Sequence, residues 1–178
     1  MEGFLSELNL IIDSDQFQGG YLKASHLIRE TRSRGGRIYL VGNGGSVAIC
    51  SHVSVDLNKA CGIKSTVFTD ASLITCYAND YGYENVYSKC LEEQLDPEDA
   101  VILISSSGQS KNIHNALLSA KQKEVAYLTL TGFREDNIIN NDSNHKVWVS
   151  SNNYNVVEVS HLAILLAGCE SNKLSRRG

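Results

Sequence analysis

Apolar residues recur along this chain in two rhythms. From Phe4 to Arg34 they fall at helical spacing, at Leu5, Leu8 and Ile12 and then at Leu22, Leu27 and Ile28, with Gly19-Gly20 as a break; this predicts one or two helices. Beyond Gly35 short β-rich runs take over: "RIYLV" (37–41), "STVFT" (65–69), "AVILIS" (100–105), "VAYLTLT" (125–131) and "KVWVS" (146–150). Several are separated by stretches long enough for a crossover helix. A last helix is expected from Asn155 to about Glu170, in "NVVEVSHLAILLAGCE". Alternation of this kind predicts an α/β fold, a mostly parallel sheet with helices on both faces.

Composition narrows the picture. A chain of 178 residues with 42% hydrophobic content suits one domain with a sizeable core. The expected division is an N-terminal helical segment over 1–34, packing on the domain or on a neighbouring subunit, an α/β domain over 35–172, and a flexible tail over 173–178. A net charge of -4, with no Lys/Arg block beyond Arg176-Arg177, gives no electrostatic footprint for nucleic acid or an anionic membrane. No apolar run reaches spanning length and no basic leader precedes residue 13, so a cytoplasmic location is expected. The five cysteines are odd in number and scattered, without a CxxC pair, which points to reduced packing thiols.

In open parallel sheets ligands bind beyond the carboxyl ends of the strands, where loops lead into helix N-termini. Two loops here share one design: Gly42-Asn43-Gly44-Gly45-Ser46 after "RIYLV", and "SSSGQS", Ser105 to Ser110, after "VILI". Small residues let main-chain N–H groups approach a ligand, hydroxyls add donors, and the following helix brings its positive end. Either loop alone reads more readily as a turn with a capping serine. Two of them in one small domain favour a bound anion. Phosphate is the natural occupant; neither loop carries the lysine of a mononucleotide P-loop, and "GNGGS" lacks the GxGxxG spacing of a dinucleotide fold, which favours a phosphate on something other than a nucleotide.

"GNGGS", "ANDYGYENVYSK", "SSSGQSKNI" and "LTLTG", in this order, closely resemble the sugar isomerase (SIS) domain, and within it the phosphoheptose isomerase branch. The resemblance runs from about Gly35 to Gly168. It implies a three-layer α/β/α sandwich with a five-stranded parallel sheet, a homotetramer with sites between subunits, and a seven-carbon sugar phosphate as ligand. That branch interconverts sedoheptulose 7-phosphate and a heptose 7-phosphate for surface polysaccharides; a sister branch binds the bacterial replication initiator. Carried over residue by residue, Ser46, Ser105, Ser106, Ser107 and Ser110 fall on phosphate-holding positions. Asn43 and Asp80 fall on positions that face the sugar, and Gly44 of the first loop is a further substrate-binding candidate. The family's zinc site takes a His and a Glu four residues apart, then a Gln and a His eight apart. Here those places hold His52 and Asp56, then either Glu158 and Leu166 or, one residue earlier, Val157 and Leu165. In both registers the final His, also a proposed proton-transfer group of the family, is a Leu.

The residues have a reading of their own. His52 and Asp56, four apart on a helix, share a face and could ligate one ion or merely pair at the surface. Glu158 and His161 lie three apart on the last helix; His161 could stand in for the missing ligand or pack at a subunit contact. Aldose–ketose isomerisation passes through an enediol and needs a carboxylate or imidazole base. Asp56 and His161 are the catalytic candidates; His52, Asp56 and Glu158 are the candidates for zinc. Three readings stay open: an isomerase with altered roles for these groups, a phosphosugar-binding sensor, and a protein-binding adaptor. Tyr77, Tyr81, Tyr83 and Tyr87 are expected at a subunit or domain contact.

Overall fold

The computed structural model describes residues 2–174. Two helices open the chain, α1 (Glu2–Ile12) and α2 (Asp15–Ser33). They are followed by β1 (Ile38–Gly42), α3 (Gly45–Lys59), β2 (Ser65–Val67), α4 (Ala71–Tyr81) and α5 (Val86–Gln94). The second half runs β3 (Ala100–Ser105), α6 (Lys111–Gln122), β4 (Ala126–Thr131), α7 (Ile138–Asp142), β5 (Lys146–Trp148) and α8 (Tyr154–Glu170). All five strands are parallel, in the order β2-β1-β3-β4-β5.

The central strands read as continuous apolar runs because both faces are covered. Ile102 and Ile104 of β3 enter the core under α2, α3 and α8 with Ile28, Leu57 and Leu165. Val101 and Leu103 alternate onto the opposite face with Leu91, Ile113 and Leu117 of α5 and α6. Each of the predicted strands is present, and the edge strands β2 and β5 are shorter than their apolar runs.

The break in the N-terminal helical stretch is not at Gly19-Gly20. It falls at Asp13-Ser14, where the Ser14 hydroxyl accepts from the Phe17 amide and caps α2. Gly20 lies inside α2, where a Cβ would stand 3.1 Å from Val147 and 3.3 Å from Ile164. The helix needs a small residue to lie close against the domain. The segment therefore packs on its own chain, along α8, where Gly168 faces Ala24. Of the expected tail, Leu174 is held: its amide donates to the Ala60 carbonyl at 3.0 Å. Residues 175–178 lie outside the described residues.

Candidate active site

β1 lies between β2 and β3, so the chain crosses in opposite directions on leaving it and on returning through β3. That reversal opens a crevice at the carboxyl ends of the two strands. The β1–α3 and β3–α6 loops emerge side by side there. They enclose a cleft of about 190 Å³ lined by Asn43, Ser46, Ile104, Ser105, Ser106, Ser107, Ser110, Tyr154 and Glu158. A larger cavity of about 340 Å³ sits at the other end of the sheet, between α2 and the start of β4, lined by Lys23, His26, Glu30, Arg34, Tyr127 and His145 among others. It has neither the converging helix N-termini nor the hydroxyl cluster, so the serine cleft is the candidate site.

The serines are not spent on caps. Gly44, at φ 52°, is the N-cap of α3 and leaves Ser46 in its first turn. Ser110 precedes α6 but takes no hydrogen bond from its amides; its Oγ accepts from Ser105 at 3.0 Å. Ser107 Oγ accepts from the Gln109 amide at 3.3 Å. Ser106 is 6% exposed, and its Oγ has no hydrogen-bond partner among the described residues. A buried hydroxyl left without a partner costs stability, about 1–3 kcal/mol, unless a ligand takes it up. Gly42 and Gly108 shape the two loops: a Cβ on Gly42 would meet Ser46 at 2.9 Å, and Gly108 holds φ 66° against Asn137.

Asn43 is fixed by residues that sequence reasoning does not connect to it. Its carboxamide and that of Asn112 exchange two hydrogen bonds, both 2.9 Å. The Tyr83 hydroxyl donates to Asn43 Oδ1 at 3.0 Å, and the buried Tyr87 hydroxyl donates to the Gly42 carbonyl at 2.8 Å. Burial keeps the Tyr87 phenol well above the ordinary tyrosine range, so it is a donor at any physiological pH. These tyrosines are expected from sequence at a subunit or domain contact; within the chain, Tyr83 and Tyr87 brace the glycine loop. Tyr87→Phe is expected to lower unfolding free energy by roughly 1–2 kcal/mol, read by urea denaturation; an unchanged midpoint would remove Tyr87 from that role.

Other expected site residues are not brought to the cleft. Asp80 lies on exposed α4, taking hydrogen bonds from the Asn79 carboxamide at 2.9 Å and the Cys76 thiol at 3.8 Å. His52 and Asp56 are together on the outer side of α3, 3.9 Å apart, and line no part of the cleft. Glu158 is the residue of the proposed metal set that reaches it: its carboxylate covers Gly45, where a Cβ would stand 2.5 Å from Oε1. Val157 and Leu165 are fully buried, while Glu158 and Leu166 are partly exposed, so of the two registers only the one with Glu158 reaches accessible surface.

His161 is neither ligand nor subunit contact. It is 0% exposed beneath α8, with its Nε2–H donating to the Thr131 carbonyl at 3.1 Å and Nδ1 unpartnered among the described residues. Burial pushes its pKa down to about 4, so it stays neutral. This corrects the expectation that it acts as an acid–base group.

A protein zinc site takes three or four N, O or S donors. His52 and Asp56 supply two, Leu166 supplies none, and Glu158 stands apart over Gly45. Among the described residues no three His, Cys, Asp or Glu side chains gather to hold an ion. The residues present do not fit zinc within one chain.

The cleft offers hydroxyl and amide donors for an oxyanion, a braced carboxamide, and the carboxylate of Glu158. Residues 14–132 match the model of the SIS domain. The phosphoheptose isomerase of Campylobacter jejuni serotype O:6 is 32% identical over 166 residues, covering 89% of this chain and 88% of that protein. The structure of phosphoheptose isomerase GmhA from Neisseria gonorrhoeae superposes with a TM-score of 0.80 at 25% identity, over 94% of this chain and 89% of that one. A phosphoheptose isomerase from Francisella tularensis shares the fold, with a TM-score of 0.87 at 21% identity over 97% and 93% of the two chains. With two serine-bearing loops at the strand reversal and relatives along nearly its whole length, the chain belongs to the SIS domain family, on its phosphoheptose isomerase branch.

Proposed function

We propose that this protein is an aldose–ketose isomerase that acts on sedoheptulose 7-phosphate, supplying heptose phosphate for surface polysaccharides. The observation that carries the reading is the Ser106 hydroxyl, buried at the cleft without a partner among the described residues, beside Ser105, Ser107 and Ser110. A phosphate oxygen satisfies that donor, and the N-termini of α3 and α6 favour its charge. The relatives named above support a seven-carbon phosphosugar over other phosphate esters. Exposed leucines on the N-terminal helices, Leu5, Leu10 and Leu22, support a homo-oligomer; a tetramer and a cytoplasmic location belong to the proposal through the family resemblance alone.

The test is turnover of sedoheptulose 7-phosphate by chelator-treated protein, alongside thermal stabilisation by the sugar phosphate. Product is expected without added zinc, because no complete zinc set gathers among the described residues. Ser106→Ala is expected to weaken phosphosugar binding by roughly 1–3 kcal/mol. Retained stabilisation with no product at high enzyme concentration would leave a phosphosugar-binding sensor. Loss of both would defeat both.

A further inference from the structure

We infer that Asn112 and Tyr83 are positioning residues: they hold the Asn43 carboxamide with one N–H left for the ligand, so that Asn43 meets the sugar of a bound phosphosugar as a donor and not as an acceptor. The inference rests on the phosphosugar reading above. A carboxamide has a donor end and an acceptor end of nearly the same shape, and only its bonding partners decide which end a ligand meets.

Here the decision starts at a main-chain group. The Ile113 amide, which can only donate, shares its proton between Asn112 Oδ1 at 3.0 Å and the Ser110 carbonyl at 3.1 Å. With Asn112 Oδ1 so fixed, the pair of bonds between the two carboxamides can run only one way. Asn43 Nδ2 donates to Asn112 Oδ1, and Asn112 Nδ2 donates to Asn43 Oδ1. The Tyr83 hydroxyl donates to the same Asn43 Oδ1 at 3.0 Å, which fills both lone pairs of that oxygen. What Asn43 keeps is the second N–H of Nδ2, which has no partner among the described residues.

Tyr83 is itself held from α6. It stands in the short turn Tyr83–Asn85, and Asn115, one turn after Asn112 on that helix, donates to the Glu84 carbonyl and to Asn85 Oδ1, both at 3.0 Å. One helix therefore sets both donors to the Asn43 oxygen. Depth assigns the remaining N–H to the sugar. Ser46, Ser105 and Ser106 are buried at the floor of the cleft, whereas Tyr83, 53% exposed, places the Asn43 amide at its rim. A phosphate among the floor hydroxyls leaves the sugar at the rim, where a hydroxyl or carbonyl oxygen can accept from Asn43.

The experiment titrates sedoheptulose 7-phosphate and, separately, inorganic phosphate into wild type, Asn112→Ala, Tyr83→Phe, Asn43→Ala, and the two double variants that carry Asn43→Ala. Affinity for the sugar phosphate is expected to fall about tenfold in Asn112→Ala and about threefold in Tyr83→Phe, the worth of a hydrogen bond or less. Inorganic phosphate should bind all three single variants within about twofold of wild type, and neither change should weaken the sugar phosphate further once Asn43 is Ala. Because Tyr83 is exposed, Tyr83→Phe carries the test even if Asn112→Ala folds poorly. Losses that simply add to that of Asn43→Ala would mean that the two residues act independently of Asn43, and overturn the inference. So would an equal fall for inorganic phosphate, which puts the N–H on the phosphate, and so would unchanged sugar-phosphate affinity in both variants, which leaves the phosphosugar reading intact. A wild type that does not bind sedoheptulose 7-phosphate defeats that reading, and the inference with it.

Discussion

Replacing Gly108 by Ala is expected to remove phosphosugar binding and to lower the stability of the whole domain. Gly108 sits at φ 66° at the turn of the serine loop, where its amide donates to the Ser105 carbonyl at 3.0 Å. For an alanine that left-handed conformation costs about 1–2 kcal/mol. Its Cβ would also run into the Asn137 carboxamide, with Nδ2 only 2.6 Å away. Asn137 cannot yield easily: it is fully buried, donates to the Arg134 carbonyl at 2.7 Å, and accepts from the Asn140 amide at 2.8 Å to cap α7. Overpacking at such a site adds roughly 1–3 kcal/mol. Together these correspond to a fall in melting temperature of roughly 5–15 °C for a domain of this size. The loop must shift to relieve the clash, and that carries Ser106 and Ser107 off their positions, so the sugar phosphate should no longer raise the melting temperature. A Gly108→Ala protein that melts like wild type and is still stabilised by the ligand would show that the loop does not depend on this contact.

Much of this architecture can be read from the chain itself. The five apolar runs, bounded by glycines and polar clusters, become the five parallel strands, since a strand buried on both faces has no polar side to obscure it. The two serine loops are legible for a similar reason: their chemistry lies in consecutive residues. Residues that act across the fold are harder to see. Asn112 fixes Asn43 across 69 positions of sequence, and Tyr87 reaches Gly42 across 45. Nothing local distinguishes such a tyrosine from an interface aromatic, although an Asn two residues after the last serine of a phosphate loop is a usable hint. Periodicity also separates Glu158 from His161 poorly. Three residues apart on a helix put them on neighbouring flanks, and only the packing of α8 on the sheet sends one to the cleft and the other into the core. The Gly19-Gly20 pair misleads for the opposite reason, because a glycine that breaks a free helix is also the residue that lets a packed helix approach its neighbour.

His161 makes the pH dependence of folding a measure of how α8 is seated. In the folded protein its pKa is pushed down to about 4, because burial disfavours the charged ring and its second nitrogen, Nδ1, has no acceptor to donate to among the described residues. In the unfolded chain the ring returns to its ordinary value near 6.5. The contribution is therefore fully present above pH 6.5, where both states are neutral, and is lost as the pH falls from about 6.5 toward 4, where the unfolded state binds one more proton. Across that window the loss amounts to roughly 3 kcal/mol, at about 1.4 kcal/mol per pH unit. Urea denaturation at intervals from pH 7 to 4.5 reads it directly, with His161→Gln as the reference. The variant is expected to be less stable at pH 7 but to lose less on acidification, since carboxylates that titrate in both proteins cancel in the difference. Equal slopes in the two proteins would mean that the ring is protonated without penalty and that α8 is not sealed over it. The same helix carries Glu158 one turn before His161, so protonating the ring should disturb the cleft as well as the core. Turnover on the acid limb should then fall with the loss of structure in wild type, and fall later in His161→Gln, although the carboxylate in the cleft is the same in both.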